Sequence, residues 1–118
     1  MALTIYHNPR CSKSRKTLEI IQAAGIAPTI VPYLQQTPDA AGILAIAARL
    51  GSPVADLLRR GESVVKEATD LPALDDDAAL AAWIVAHPIA LQRPIVIDPD
   101  SDRAVLGRPP ENVKALLP

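Results

Sequence analysis

An α/β fold built on a mixed sheet of about four strands is predicted by three observations. A strand, a helix and a second strand follow one another between Leu3 and Leu34, helical patterns fill Pro38 to His87, and two strand patterns with a final helix close the chain. Strand, helix and strand in so short a span form a βαβ unit, which makes its two strands a parallel pair. The two later strands face each other across a short turn. The helical block, about residues 38–87, therefore reads as an insertion between the βαβ and ββα halves of one domain covering residues 1–118.

The first strand is the apolar run Leu3-Thr4-Ile5-Tyr6, and the first helix is read from Thr17 to Ala24 with Leu18, Ile21 and Ile20 or Ala24 as its apolar face. Gly25 closes that helix, and Pro28 to Leu34 is a second strand with prolines at its edges. Thr37 as cap with Pro38 at the first helical position predicts the next helix, which turns Ile43, Leu44, Ile46, Ala47 and Leu50 inward before Gly51. Ser52-Pro53 repeats that signature and predicts a short helix through Val54, Leu57 and Leu58. Residues 62–74 carry no decisive pattern. Asp75-Asp76-Asp77 caps a helix with Leu80, Trp83 and Ile84 at core spacing, and His87 is read as the partner of its C-terminal dipole. Pro94 to Ile97 and Ala104 to Gly107 are the later strands, and Pro109-Pro110 opens a terminal helix through Val113, Leu116 and Leu117.

The single cysteine lies in His7-Asn8-Pro9-Arg10-Cys11-Ser12-Lys13-Ser14-Arg15, where the first strand gives way to the helix. Unpaired N–H groups and the positive end of the macrodipole make a helix N-terminus favourable to an anion, and a thiolate is one. With Arg10 adjacent and Arg15 four residues on, the Cys11 thiol is expected to ionise below its ordinary range, which raises the reactive fraction more than it lowers nucleophilicity. Ser12 and Ser14 can offer hydroxyls to the sulfur or cap the helix, and His7 at the strand end can add charge or a proton. A lone intracellular cysteine is more often a small buried hydrophobe. Its flanking Arg, Lys and Ser residues, which need solvent or an anion, argue for the reactive reading.

The rest of the composition excludes other chemistry. One cysteine leaves no internal disulfide, no CxxC pair and no cysteine-based zinc site, and His7 and His87 are isolated, so no metal site is expected. A net charge of −1 argues against nucleic acid or an anionic membrane as partner. No apolar run approaches the ~20 residues of a membrane-spanning helix, and the start enters a strand without a basic leader segment, so a cytoplasmic, reducing home is expected. Eight of the twelve basic residues are Arg, several of them at turns and element ends where planar recognition of an oxyanion can be built.

The order of elements, with a Cys after the first strand and Arg93-Pro94 before a later one, resembles the thioredoxin superfamily, in which a proline at that place is cis and lies beside the active-site sulfur. More closely, His7-Asn8-Pro9-x-Cys11-x-x-Ser14-Arg15, Leu57-Leu58-Arg59, His87-Pro88-Ile89, Arg93-Pro94-Ile95-Val96 and Gly107-Arg108-Pro109 together resemble the glutaredoxin-coupled arsenate reductase family over nearly the entire chain. The resemblance implies that Cys11 attacks arsenate, that Arg59, Arg93 and Arg108 bind the oxyanion, that His7 and Ser14 stabilise the thiolate, to which the charge of Arg15 adds as read above, and that Pro94 is the cis-proline. It also implies glutathione as co-substrate and glutaredoxin as partner, with no bound cofactor. Two other functions compete: a thioredoxin-fold regulator that binds RNA polymerase, and a general glutathione-linked thiol oxidoreductase. Ser14 in place of a second cysteine removes an internal disulfide switch, and three arginines are unnecessary for a disulfide substrate.

Overall fold

Leu3, Ile5, Ile21 and Val96 are fully or almost fully excluded from solvent and form one cluster with Val113 and Leu116, so the first strand, the first helix, the third strand and the C-terminal segment share a core. The structure is a computed structural model describing residues 1–118. The chain divides into two compact units, one of Met1–Gln36 with Arg93–Pro118 and the other of Thr37–Gln92.

The first unit carries the four-stranded sheet β1 (Thr4–Tyr6), β2 (Thr29–Val31), β3 (Ile95–Asp98) and β4 (Arg103–Leu106) in the order β2-β1-β3-β4. β1 runs parallel to β2, with Ile5 opposite Ile30, and antiparallel to β3, with Ile5 opposite Val96; β3 and β4 are antiparallel. The mixed sheet expected from the sequence is thus present. β2 is shorter than the predicted Pro28–Leu34 because Pro28 and Pro32 flank it, and its place at the sheet edge is one that prolines tolerate. β3 is buried at all four positions, as an interior strand should be.

Helix α1 (Ser12–Ala23) begins well before the predicted Thr17 and has Cys11 at its N-cap. Ser14 and Thr17 are buried on it beside Ile21, so its inward face is polar at the start, and an apolar period cannot find that first turn. Gly25, at φ 80°, follows its C-cap. The predicted terminal helix is instead a 3-10 segment, Pro110–Leu116, which still buries Val113 and Leu116.

The second unit contains α2 (Ala40–Leu50), α3 (Ser63–Lys66) and α4 (Asp77–Ala86). The N-cap of α2 is Asp39, two residues beyond the expected Thr37, because its carboxylate accepts the Gly42 N–H at 2.7 Å. Gly51 ends α2 in the left-handed conformation, φ 67°. Asp39→Ala should lower stability by about 1 kcal/mol, read as an earlier urea midpoint with an unchanged slope.

Val54–Leu57 is a 3-10 turn with Pro53, and no side-chain cap, at its N-cap position, not the helix predicted from Ser52-Pro53. The Val54 N–H goes to the Asp77 carboxylate at 3.2 Å, so a neighbouring helix supplies the acceptor that a local cap would have given. Asp76 caps α4 by accepting from Ala79 N–H. His87 donates from Nδ1 to the Trp83 carbonyl at 2.9 Å and stacks on the Trp83 ring, the helix-end role expected of it. No helix is long and apolar enough to cross a membrane, and no group of three or more His, Cys, Asp or Glu side chains is placed to hold a metal ion.

Candidate active site

The loop between β1 and α1 is locked at nearly every residue. His7 N–H extends the sheet by donating to Val31 C=O at 2.9 Å, Cys11 N–H donates to Asn8 C=O at 3.0 Å, and Asn8 Oδ1 accepts the Arg10 N–H at 3.0 Å. Below it, the buried Ser14 hydroxyl shares a 2.6 Å hydrogen bond with His7 Nδ1 and accepts the Asn8 N–H at 3.1 Å. Burial of His7, with the Arg15 charge adding to it, lowers its pKa, which keeps the imidazole neutral around pH 7.

Cys11 itself has extended backbone, φ −91° and ψ 121°, and its carbonyl accepts the Arg15 N–H at 3.0 Å. Its side chain occupies the place where Ser or Asp would cap, yet makes no cap hydrogen bond of ordinary geometry. The sulfur nevertheless ionises below the ordinary thiol range. Partial burial is the largest influence and opposes ionisation; the Ser14 and Lys13 N–H groups, then the charge and side-chain hydrogen bond of Arg93, together outweigh it.

Arg93, only 6% exposed, therefore faces the thiolate directly. It precedes Pro94 through a cis peptide, and Arg108–Pro109 is a second cis peptide. Two neighbours hold the Arg93-Pro94 pair: Gly107 N–H donates to Pro94 C=O at 2.9 Å, and Arg108 Nη1 donates to Arg93 C=O at 3.1 Å. Gly107 has no room for a side chain, because a Cβ there would lie 2.6 Å from Thr17 Oγ1 and 2.7 Å from Pro94 Cγ. Thr17 in turn donates to Lys13 C=O at 2.8 Å, tying this packing to the first turn of α1.

The structure thus brings His7, Cys11, Ser14, Arg93, Pro94 and Arg108 together in the sheet-bearing unit. Arg15 is placed differently from expectation, since its guanidinium donates to Pro9 C=O at 2.8 Å and its charge bears on His7. Ser14 acts on the sulfur through its N–H, its hydroxyl being held by His7 and Asn8. Arg59 belongs to the other unit, where its N–H donates to Ala90 C=O at 2.7 Å and its Nε lies 3.1 Å from Glu62 Oε1. Asn8 and Gly107 stand in the sequence only as members of motifs, with no role of their own, and Thr17 only as a helix position. The Asn-Pro dipeptide before the cysteine is a turn signal that points to Asn8, whereas nothing local points to the other two.

A lowered Cys11 pKa has two measurable consequences. Alkylation by iodoacetamide should titrate with a midpoint below that of the same thiol in the urea-unfolded chain; a midpoint at or above the unfolded one would refute the assignment. Because the folded pKa lies below the unfolded one, the thiolate stabilises the fold fully above the unfolded value. That contribution is lost as pH falls through the folded pKa.

A βαβ-ββ sheet with one activated thiolate at a helix N-terminus, beside an Arg and a cis-proline, defines a thioredoxin-like thiol protein. The ArsC family pattern matches residues 6–116, and the chain belongs to that family. It is 43% identical over 117 residues to an arsenate reductase of Neisseria meningitidis serogroup A, covering 98% of this chain and 97% of that one. It is 40% identical over 114 residues to the uncharacterized protein YfgD of Escherichia coli, covering 96% and 94%. The solved arsenate reductase of Vibrio cholerae superposes with a TM-score of 0.87 at 38% identity, covering 99% of this chain and 98% of that one.

Proposed function

We propose that this protein is a cytoplasmic arsenate reductase that takes its electrons from glutathione and glutaredoxin. The observation that carries the reading is the Cys11 thiolate set against the buried Arg93 guanidinium, a nucleophile beside a permanent cation that can hold a tetrahedral oxyanion. The likeness to arsenate reductases across nearly the whole chain supports arsenate as that oxyanion. Arg108, in the same unit, is assigned to the oxyanion with Arg93, and Arg59 is assigned to it on the family motif alone; His7 and Ser14 keep the loop in the shape that presents the sulfur.

The cysteine count dictates the electron path. Cys11 attacks arsenate and a hydroxyl leaves as water; glutathione then replaces a second hydroxyl, again releasing water. A further thiol, on glutaredoxin or a second glutathione, attacks the glutathione sulfur, and the electron pair of the breaking sulfur–arsenic bond reduces As(V) to As(III). The mixed disulfide departs, and one water hydrolyses the Cys11–As(III) bond to give arsenite and the free thiolate. Net, one arsenate and two thiols become one arsenite, one disulfide and one water.

A coupled assay offering arsenate, phosphate, sulfate and a mixed disulfide separates this reading from its competitors. Turnover on arsenate that needs glutathione and is raised strongly by glutaredoxin is expected. Full multiple turnover with thioredoxin alone would refute the electron path, and activity on the mixed disulfide alone would make the protein a general thiol oxidoreductase.

A further inference from the structure

We propose that the cleft at the C-terminal ends of β1 and β2 is the docking site of the thiol co-substrate, a peptide thiol bearing carboxylates, with glutathione as the example. This rests on the reading above, in which an external thiol must reach arsenic held on Cys11.

The topology puts a crevice there. β1 is the strand at which the sheet reverses, parallel to β2 on one side and antiparallel to β3 on the other. Because β1 and β2 are parallel, their carboxyl ends lie side by side, and the loops that leave them flank a common space. His7 and Pro32 are the first residues past β1 and β2, and both line a cleft of about 450 Å³, within the ~300–1,000 Å³ typical of small-molecule sites.

The walls match a peptide with an anionic end. Pro9, Pro32 and the exposed Leu34 give the cleft apolar walls. Arg10 and Gln35 supply a cation and an amide. One guanidinium among apolar walls suits a carboxylate on a peptide stem, while a free phosphate is better served by several converging donors.

The reach is also right. Arg10 adjoins Cys11, and its N–H is pinned to Asn8 Oδ1 at 3.0 Å, so its backbone is fixed relative to the residue that carries the sulfur. An extended tripeptide spans at most about 10 Å, and the thiol of glutathione is on its middle residue. A terminal carboxylate on Arg10 therefore leaves that thiol within range of an arsenic atom bonded to Cys11.

Steady-state kinetics of Arg10→Glu, with arsenate, glutathione and glutaredoxin varied separately, tests the site. The glutathione KM should rise about tenfold or more, the scale of one charge-assisted hydrogen bond. The arsenate KM, and the KM for the small uncharged thiol 2-mercaptoethanol in place of glutathione, should move far less; a fall in rate common to both thiols, from a reversed charge beside Cys11, leaves the ratio of their KM values as the readout. A glutathione KM that ignores the substitution, equal effects on the KM of both thiols, or a rise confined to the glutaredoxin KM would overturn the proposal. Independently of turnover, S-methylglutathione, whose capped sulfur cannot react, should shift the amide resonances of Asn8, Arg10, Leu34 and Gln35; shifts confined to other residues would overturn it. Wild-type turnover that does not need glutathione would sink the functional reading together with this site, whereas a glutathione-dependent enzyme indifferent to Arg10→Glu would sink the site alone.

Discussion

Replacing Cys11 by serine should abolish arsenate reduction, by roughly a thousandfold or more, and leave the fold intact. The loss follows from chemistry, since a serine hydroxyl with no adjacent general base is a far weaker nucleophile than a thiolate and forms no sulfur–arsenic bond. The intact fold follows from position. Cys11 is the N-cap of α1, and serine is nearly isosteric and among the preferred N-cap residues, so the variant should stay folded, giving up only the stabilisation that the thiolate supplies above its folded pKa. Thermal unfolding and turnover measured on the same preparation decide the matter. Substantial turnover in a folded serine variant would remove Cys11 from the reaction, and loss of activity through unfolding would show that the thiol holds the loop together.

That experiment addresses the residue the sequence marked most clearly. The place of Cys11 was legible because strand and helix periodicities meet there, and the lowered pKa was legible because any helix N-terminus favours an anion. What acts on the sulfur besides the helix was not. Arg10 and Arg15 are near in sequence, but Arg15, in the first turn of α1, points back to the Pro9 carbonyl, while Arg93 arrives from the far end of the chain. Only the resemblance to a known family marked Arg93, and it did so as an oxyanion ligand. The locking residues were hidden for the same reason: Gly107 matters through Thr17 and Pro94, contacts that link β4's end to α1 and leave no local pattern.

The elements show the same division. The parallel pair, the hairpin and the caps at Gly51 and Asp76 rest on short-range signals and appear as expected. Helix type near prolines was harder. Pro53 and Pro109-Pro110 announce a helical start but leave open whether the turn closes as α or 3-10. In the segment after Pro53 the Val54 N–H finds an acceptor on Asp77, a residue of α4 far along the chain.

Arg93→Ala should cost one to two decades in the rate of arsenate reduction, from loss of a charge-assisted contact worth about 1.5–3 kcal/mol. The residue acts on two quantities, and pH separates them. It is one of the influences that lower the Cys11 pKa, so its removal moves the thiol upward and the pH–rate profile to the alkaline side. Below both midpoints the variant has a constant deficit of thiolate; above both, thiolate is complete in either protein and that part of the loss vanishes. Any deficit persisting at alkaline pH therefore measures the grip of Arg93 on the oxyanion, which the ionisation of sulfur cannot supply. Lys16→Ala is the control, because Lys16 is 58% exposed and lies 3.7 Å from Glu19 on the outer face of α1, an ion pair worth little. Equal and small effects of the two substitutions would show Arg93 to be a packing residue. A profile that drops without shifting would show that Arg93 binds oxyanion while the helix N–H groups alone set the thiolate.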